Sequence, residues 1–389
     1  MKIEQPLPLS GFRVIDLTRV LSGPFCTMML GDLGADVIKI EAVEGDSVRT
    51  QGAGREGMSW YFASFNRNKR SIVLDLKSAE GKKALEALVG SADAVVENFR
   101  PGVMDRLGFG TARLQELRPG LVTCSISGFG ADGPYRDRPA FDFIAQAMSG
   151  FMSTNGRAED PPLRTGIPIS DLVAGIYGAL GITAALLGRE RHGNGEHVDV
   201  SLTNSIISLL AYLASNYFAT GEEPVRTGND HPIAAPYGLF QTLDVQIAVA
   251  PNDDTFFGRL MNVLDLSELK SDPDFASNPL RVKNRARLNA LVENRLRTQP
   301  AAVWIEKINA AGVPCGPVNK MAGVFSDPQV MSQQMAIDVP HPGHGSVRML
   351  GFPMKFGNAP CQIRLPAPDL GQHTTEVLAQ VSSRQPAAD

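Results

Sequence analysis

Residues 164–180 read RTGIPISDLVAGIYGAL, and the rest of the chain is organised around them. Pro168 disfavours helical backbone just before it, and Ser170 or Asp171 is a natural N-cap, so the stretch predicts the start of a helix. Residues 172–188 carry no charge, which predicts a helix that is buried nearly all round. The carboxylate of Asp171 at the head of such a helix either caps free backbone N–H groups or takes part in chemistry.

The N-terminal part of the chain alternates strand and helix patterns. Short Val- and Ile-rich strands are predicted at residues 12–17, 35–41, 71–76, 92–99 and 121–127. Helices are predicted at residues 24–33 and at 78–88, where Ser78 is the expected N-cap. After the central helix, a strand at 197–202 leads into a second uncharged helix at 205–221. This alternation indicates an α/β fold with a Rossmann-like parallel sheet.

The length of 389 residues favours two domains. A polar stretch rich in turn residues is followed by a hairpin pattern at 238–250 and by helix patterns at 254–264 and 281–298. We therefore predict a large Rossmann-like domain over residues 1–220 and a smaller α+β domain over 221–330. Residues 331–389 are predicted to return to the large domain, because the chain becomes extended and Pro-rich from 349.

Composition excludes several classes of protein. The net charge of −4 and the lack of a basic cluster argue against a nucleic-acid partner. The four cysteines are far apart and the six histidines show no ligand spacing, which argues against a disulfide framework or a metal site. Two uncharged runs of 17 residues are short for a membrane span, and residues 1–6 lack a signal-peptide core. We expect a cytoplasmic protein without a membrane partner.

Residues 128–133, GFGADG, match the glycine pattern of dinucleotide-binding sites. Pro134 and Pro139 prevent the helix that should open at the third glycine, so an NAD site is not expected. Walker A and GxSxG motifs are absent from the sequence.

Polar segments flank two of the predicted strands. Residues 66–71 (NRNKRS) precede one strand, and residues 98–102 (NFRPG) end the next, with Arg106 just beyond. Ligands of open α/β sheets lie at the carboxyl ends of strands, so the second segment is well placed for an anionic ligand. For Lys69, Arg70 or Arg100 taken singly, a solvated surface position is the better explanation, and only their occurrence together favours a ligand.

The sequence resembles the class III CoA-transferases, the CaiB/BaiF family that includes formyl-CoA transferase and α-methylacyl-CoA racemase. The resemblance covers nearly the whole chain. It is carried by residues 16–24 (DLTRVLSGP), 33–41 (LGADVIKIE), 66–71 (NRNKRS), 96–102 (VENFRPG), 140–146 (AFDFIAQ), 170–175 (SDLVAG) and 312–318 (GVPCGPV).

The resemblance implies that Asp171 is the catalytic nucleophile and that coenzyme A is the substrate carrier, with no metal and no NAD. By matching segments, it places the CoA site at Leu21, Ser22, Leu74, Lys77, Asn98, Phe99, Arg100 and Arg106, and a loop near the thioester at Pro139, Ala140 and Asp142. Arg19 and Leu21 replace a histidine and a glutamine of formyl-CoA transferase, and its Gly-rich loop is missing around residues 229–236. These departures argue against oxalate or formate as the substrate.

The implied function is an acyl-CoA:carboxylate CoA-transferase in an interlocked homodimer. Succinyl-CoA is the expected donor, and a small carboxylic or dicarboxylic acid the expected acceptor. The helix N-terminus is expected to keep Asp171 ionised. Three alternatives are a racemase on the same fold, a non-catalytic CoA-binding protein and an NAD-dependent oxidoreductase. Phe141 and Asn252 stand where the resembling racemases carry proton-transferring groups, which argues against the first, although Asp253 is an immediate neighbour.

Overall fold

A computed structural model describes residues 6–55 and 57–382 of the chain. Most of the N-terminal segment used in the signal-peptide prediction lies outside these residues. In chain order, the elements up to residue 220 are β1 (Arg13–Asp16), α1 (Ser22–Asp32), β2 (Asp36–Glu41), β3 (Gly54–Arg55), β4 (Met58–Ser59), α2 (Trp60–Asn66), β5 (Lys69–Val73), α3 (Ala79–Gly90), β6 (Ala94–Glu97), α4 (Val103–Leu107), α5 (Thr111–Leu117), β7 (Val122–Ser127), α6 (Asp142–Met148), α7 (Phe151–Thr154), α8 (Ile169–His192), β8 (His197–Ser201), α9 (Leu202–Ile207) and α10 (Ala211–Thr220).

The remaining elements are β9 (Gly238–Gln241), β10 (Gln246–Val249), α11 (Asp254–Val263), α12 (Asn278–Lys283), α13 (Arg285–Leu296), α14 (Ala301–Ala310), β11 (Cys315–Pro317), α15 (Met321–Ser326), α16 (Pro328–Ser332), β12 (Ala336–His341), β13 (Gly345–Leu350) and α17 (Thr374–Ser382). Every strand predicted in the first 202 residues is present. The Ser78 hydroxyl accepts a hydrogen bond from the Gly81 N–H at 2.9 Å, so the predicted N-cap of α3 is confirmed.

Six parallel strands form the main sheet, in the order β5-β2-β1-β6-β7-β8. The predicted parallel α/β sheet is confirmed. From β1 the chain builds outward to β2 and β5 on one side and then to β6, β7 and β8 on the other. The strand order therefore reverses between β1 and β6, and the loops that follow these two strands border the crevice where open α/β sheets bind ligands.

Helix α8 is the central helix predicted from residues 164–180, and it is longer than the uncharged run, at 24 residues. One face packs closely on α1, because a Cβ on Gly175 would lie 2.7 Å from the Ser22 carbonyl oxygen. On the other face Ile176, Leu180 and Leu187 are exposed, so the prediction of burial nearly all round is wrong for the single chain. Its length and composition also suit a membrane-crossing helix, but its buried face is part of the sheet domain's core.

The second uncharged run does not form one buried helix. Helix α9 ends at Ile207, a short 3₁₀ turn covers Ser208–Leu210, and α10 starts at Ala211 with a left-handed φ of 46°. None of the residues of α10 is buried. The sequence pattern missed this break because neither glycine nor proline marks it.

The chain packs as two compact units. The first runs to Phe151, takes in Thr165–Tyr212 and resumes at Pro328, and the second comprises Met152–Arg164 and Leu213–Asp327. Residues 152–164 and 213–220 thus group with the second unit, whereas the predicted domain boundary placed them in the first. The second unit holds a three-stranded antiparallel sheet, β11-β10-β9, and a core that includes Trp304 and Phe240.

The C-terminal segment contributes elements that the sequence pattern did not predict. Strands β12 and β13 form a hairpin, and α17 covers Thr374–Ser382. The backbone N–H of Asn68 donates to the Leu365 carbonyl at 2.9 Å, and its side chain donates to the Gln362 carbonyl at 3.0 Å. This part of the chain therefore packs within the first unit.

Candidate active site

A cavity lies in the crevice between the loops that follow β1 and β6. Eight of the twelve site residues predicted from the sequence border it: Leu21, Ser22, Asn98, Phe99, Arg100, Pro139, Ala140 and Asp171. Ser127 at the end of β7 and Leu202, which directly follows β8, also border it. The sequence resemblance therefore identified residues that are far apart in the chain and close together in the fold.

A second cavity adjoins the first. Leu74 and Lys77 border it, and Arg19 and Phe99 border both cavities. The Arg19 guanidinium lies over the Phe99 ring, 5.6 Å from its centroid, at the boundary between them. Arg106 and Asp142, the other two predicted site residues, are not among the described residues that border either cavity.

The side chain of Asp142 makes its hydrogen bonds within the protein. Its carboxylate is buried and accepts hydrogen bonds from the Ser170 backbone N–H and hydroxyl, both at 2.9 Å. The Gln146 side chain donates to the same carboxylate at 2.7 Å. Because Ser170 is the second residue of α8, Asp142 caps this helix from outside. The predicted N-cap role of Ser170 or Asp171 is wrong: α8 begins at Ile169 after Pro168, which makes no side-chain cap.

Asp171 is consequently the third residue of α8, and its carboxylate borders the first cavity. Within the part of the chain that the structure describes, no hydrogen-bond donor or cation pairs with it. Burial raises the pKa of Asp171 from its usual 3.8 to about 7, and the charge of Asp142 adds to the effect. With this pKa the carboxyl is about half protonated at pH 7, so the helix N-terminus does not by itself keep it fully ionised there. Desolvation outweighs the favourable helix dipole, which amounts to about 0.3–1 kcal/mol.

Four arginines, Arg19, Arg100, Arg136 and Arg138, border the same cavity, and all four are exposed. Arg138 lies over the Tyr135 ring with its guanidinium carbon 3.7 Å from the centroid. The cavity thus offers several guanidinium groups and one carboxylate of perturbed pKa, an arrangement that suits an anionic substrate. None of the described residues that border this cavity is a histidine.

The sequence profile described as CoA-transferase family III matches residues 9–374. The chain belongs to CoA-transferase family III. Among its relatives, the acetyl-CoA:oxalate CoA-transferase of Acetobacter aceti is 43% identical over 90% of this chain and 89% of its own length. The human succinyl-CoA:glutarate CoA-transferase is 37% identical over 96% of this chain and 86% of its own length. A CaiB/BaiF family crystal structure from Brucella suis has a TM-score of 0.88 and 39% identity, and covers 97% of this chain and 100% of that one. The family match and these relatives show that the protein is an enzyme of the CoA-transferase class.

In this family III chain, Asn98 uses its side chain on the protein itself. Its carboxamide accepts a hydrogen bond from the Arg19 N–H at 2.9 Å and donates to the Arg19 carbonyl at 2.8 Å. Asn98 therefore joins the loop after β6 to the loop after β1, across the switch point of the sheet. Asn98 borders the first cavity together with its neighbours Phe99 and Arg100, for which the resemblance predicts a role in CoA binding.

The NRNKRS segment of the family III chain does not form an anionic-ligand surface. The Lys69 ammonium is fully buried and donates to the Asp16 carboxylate at 3.0 Å, while Arg70 pairs with Asp36 at 2.7 Å. The solvated-surface explanation is also wrong for Lys69. Sequence reasoning missed a second buried pair, Lys39 with Asp46 at 3.1 Å. The sequence did contain a signal for this pair: Lys39 lies between Ile38 and Ile40 in a strand predicted to be buried. A buried charge needs a partner of opposite charge.

Within residues 6–55 and 57–382, no group of three or more His, Cys, Asp and Glu side chains is arranged to bind a metal ion. The GFGADG segment follows β7 directly, and the next helix, α6, begins only at Asp142. The backbone after this glycine pattern therefore lacks the helix N-terminus that a dinucleotide pyrophosphate requires.

Proposed function

We propose that this enzyme is an acyl-CoA:carboxylate CoA-transferase in which Asp171 is the nucleophile. The observation that carries the proposal is a partly buried carboxylate, without a hydrogen-bond donor among the described residues, that borders a cavity with four arginines. Partial desolvation and the lack of a partner among the described residues leave the ionised carboxylate more reactive toward a bound thioester.

The proposed reaction needs no proton transfer. The Asp171 carboxylate attacks the thioester carbonyl of the donor, the C–S bond breaks, and an aspartyl–acyl anhydride and the CoA thiolate result. The thiolate then attacks the aspartyl carbonyl, which releases the donor acid and leaves an aspartyl-CoA thioester. The acceptor carboxylate attacks this thioester to form a second anhydride, and the thiolate takes the acceptor's acyl group and restores the Asp171 carboxylate.

Charge, rather than acid–base chemistry, is what the site supplies under this proposal. Each step moves negative charge between carboxylate, thiolate and tetrahedral oxyanion, and Arg19, Arg136 and Arg138 border the same cavity. With succinyl-CoA as the proposed donor, a dicarboxylate acceptor would use one carboxylate for the reaction and place the other near a guanidinium. The relatives named for glutarate and for oxalate also take dicarboxylates, which supports this class of acceptor.

CoA is proposed to lie along the two adjoining cavities. The thioester would lie beside Asp171 and the first turn of α1, at Leu21 and Ser22, and the rest of CoA would extend past Phe99 toward Leu74 and Lys77. Arg106 borders neither cavity, so we expect its substitution to affect CoA affinity less than that of Lys77.

A racemase needs two proton-transferring groups. Phe141 borders the cavity with a side chain that carries no proton, and Asp253, the nearest carboxylate to Asn252 in sequence, accepts the Phe256 N–H at 2.8 Å as the N-cap of α11. These observations favour the transferase. Deuterium oxide tests the choice: we expect no exchange of the α-hydrogen of a 2-methylacyl-CoA, and catalytic exchange would favour the racemase.

The covalent intermediate provides the central test. Enzyme mixed with succinyl-CoA and no acceptor should gain the mass of CoA less water on the peptide that contains Asp171, and hydroxylamine should remove it. The Asp171→Asn variant should bind CoA and gain no mass. An adduct on another peptide, or full transfer activity in the variant, would exclude Asp171 as the nucleophile.

We also propose a homodimer. Ile176, Leu180 and Leu187 of α8 are exposed in the single chain, as is Phe218 of α10 with 81% of its surface. Apolar surface of this extent is typical of a subunit contact. If the subunits interlock, dissociation requires unfolding, so the two transitions should coincide in sedimentation and circular dichroism measurements. A folded monomer on dilution would contradict the interlocked arrangement.

A further inference from the structure

The loop between β1 and α1 contains a residue in an unfavourable backbone conformation. Val20 has a φ of 68°, in the left-handed region, which is unusual for any residue with a branched Cβ. Its side chain packs against the cluster that contains Val48 and Phe62. Such a conformation persists only where the surroundings impose it, and it is common at functional sites.

The Asp46 carboxylate is the group that holds Val20. Both of its oxygens accept the Val20 backbone N–H, each at 3.1 Å, and the buried Lys39 ammonium donates to the same carboxylate at 3.1 Å. Asp46 is itself fixed, because its backbone N–H donates to the Glu41 carboxylate at 3.0 Å. Asp46 is only 5% exposed, although it borders the second cavity.

Lys39 extends this support to the residue before Arg19. Its ammonium donates to the Thr18 carbonyl at 2.8 Å, and the Asn98 carboxamide holds both backbone groups of Arg19. Side chains from β2, from the loop after it and from the loop after β6 thus hold three successive residues of the β1–α1 loop. These side chains replace the hydrogen bonds that a regular turn would make within itself.

The β1–α1 loop leads directly into the wall of the first cavity. Leu21 and Ser22 border this cavity together with Asp171, and Ser22 begins α1. The close contact of Gly175 with the Ser22 carbonyl brings α8 against this same turn, one helical turn beyond Asp171. The direction of the chain at Val20 therefore decides where the first turn of α1 lies relative to the Asp171 carboxylate.

We infer that Asp46 is a positioning residue for the transfer reaction: by holding Val20 in its left-handed conformation, it sets the first turn of α1 against Asp171. This inference rests on the proposed role of Asp171. Asp46 acts through Val20 and is not among the described residues that border the first cavity. A misplacement of about 1 Å at a reacting centre can lower the rate by ~100-fold, so a residue of this kind has a measurable effect.

The first experiment compares Asp46→Asn with Asp32→Asn. Asp32 is a matched control in the same unit: it is 6% exposed and pairs with Arg67 at 2.7 Å, at the far end of α1 from the cavity. Both changes remove one charge of a buried pair, so both should lower thermal stability. Below the unfolding transitions, we expect Asp46→Asn to slow adduct formation on Asp171 by about 10- to 100-fold. We expect Asp32→Asn to change that rate by less than about threefold and the affinity for free CoA to stay near wild type in both.

The second experiment replaces the strained residue itself. Glycine adopts a positive φ without a steric penalty. Because Val20 itself borders the first cavity, Val20→Gly alone serves as the reference for the double variant. Added to Asp46→Asn, it should restore adduct formation at least several-fold, because the loop then needs less support. A general loss of stability would not be corrected by removing a packed side chain. If Asp46→Asn fails to fold, the double variant Lys39→Met/Asp46→Asn, which leaves no unpaired charge, takes its place.

The outcomes separate the two proposals. If the wild-type adduct maps to Asp171 and Asp46→Asn forms it at the wild-type rate, or no slower than Asp32→Asn, the positioning role is wrong. The same holds if Val20→Gly restores nothing, or if Asp46→Asn acts through a weaker affinity for free CoA. If the wild-type adduct maps elsewhere, the proposed function fails before Asp46 is tested.

Discussion

Asp16 and Asp171 are two carboxylates of the same unit in opposite surroundings. Asp16 is fully buried, and burial alone would raise its pKa, but Lys69 and Lys39 beside it bring the pKa below its usual 3.8. It also accepts hydrogen bonds from the Thr27 hydroxyl at 2.7 Å and the Thr18 N–H at 2.9 Å. Asp171 has no such partners among the described residues, and burial raises its pKa to about 7. The fold pairs the carboxylate that holds strands together, whereas the one that borders the cavity has no partner within residues 6–55 and 57–382.

The largest expected effect comes from removing the charge of Asp171, the carboxylate that borders the cavity. Asp171→Asn should lower transfer activity by on the order of 10⁴-fold or more, because the nucleophile is lost. The variant should remain folded, since no described residue relies on this carboxylate. Steady-state assays with succinyl-CoA and a panel of dicarboxylates measure the loss. A residual activity above one hundredth of wild type would contradict the assignment.

The same variant should change stability with a definite sign. The folded pKa of about 7 lies above the usual 3.8, so the folded state binds the extra proton and loses stability as pH rises from 3.8 to 7. At about 1.4 kcal/mol per pH unit, the loss is at most about 4 kcal/mol. Asp171→Asn should therefore exceed wild type in stability above pH 7, with the difference vanishing below about pH 4. Urea unfolding at both pH values checks this.

At Asp16 the expected effects are reversed. Asp16→Asn leaves the buried Lys69 ammonium without its carboxylate and should cost about 3–5 kcal/mol of unfolding free energy. Thermal unfolding measures this loss. Under conditions in which the variant is shown to be folded, its transfer activity should equal that of the wild type. A stability equal to wild type would mean that the Lys69–Asp16 pair contributes little.

Two glycines of α8 test whether the position of Asp171 depends on the packing of α8 against α1. A Cβ at Gly175 would meet the Ser22 carbonyl at 2.7 Å, whereas a Cβ at Gly188 has no atom within 4 Å. Gly175→Ala should cost about 1–3 kcal/mol and lower activity, because α8 and Asp171 shift away from α1. Gly188→Ala should gain up to about 1 kcal/mol through helix propensity, with activity unchanged. Equal effects at the two sites would contradict the importance of the α1–α8 contact.

The smallest expected effect concerns pH. Adduct formation by the free enzyme should rise with pH around 7 as Asp171 ionises and level off above pH 8. Asp142→Asn removes the neighbouring charge, so the midpoint should move to lower pH, at a cost of about 1–2 kcal/mol for weakened hydrogen bonds to Ser170. A midpoint that stays in place would leave burial as the whole cause of the raised pKa.

The sequence by itself determined the parallel α/β class, because Val- and Ile-rich strands alternating with helices have few other ways to bury their apolar faces. Through its resemblance to the class III CoA-transferases it also named eight of the residues that border the first cavity. The motif at residues 170–175 located Asp171, and the N-cap of α3 followed from Ser78 alone. The fold class and the N-cap depend on local pattern, whereas the site residues depend on motifs shared with the family.

Only the tertiary structure decided how each charge is used. Asp142 caps α8 from a separate helix, and Asn98 holds Arg19 from 79 positions away. Lys69 pairs with Asp16 across 53 positions, and the raised pKa of Asp171 depends on the neighbours that bury it. The ionisation and pairing of a side chain follow from the dielectric and the partners around it, and the packing of distant segments creates both.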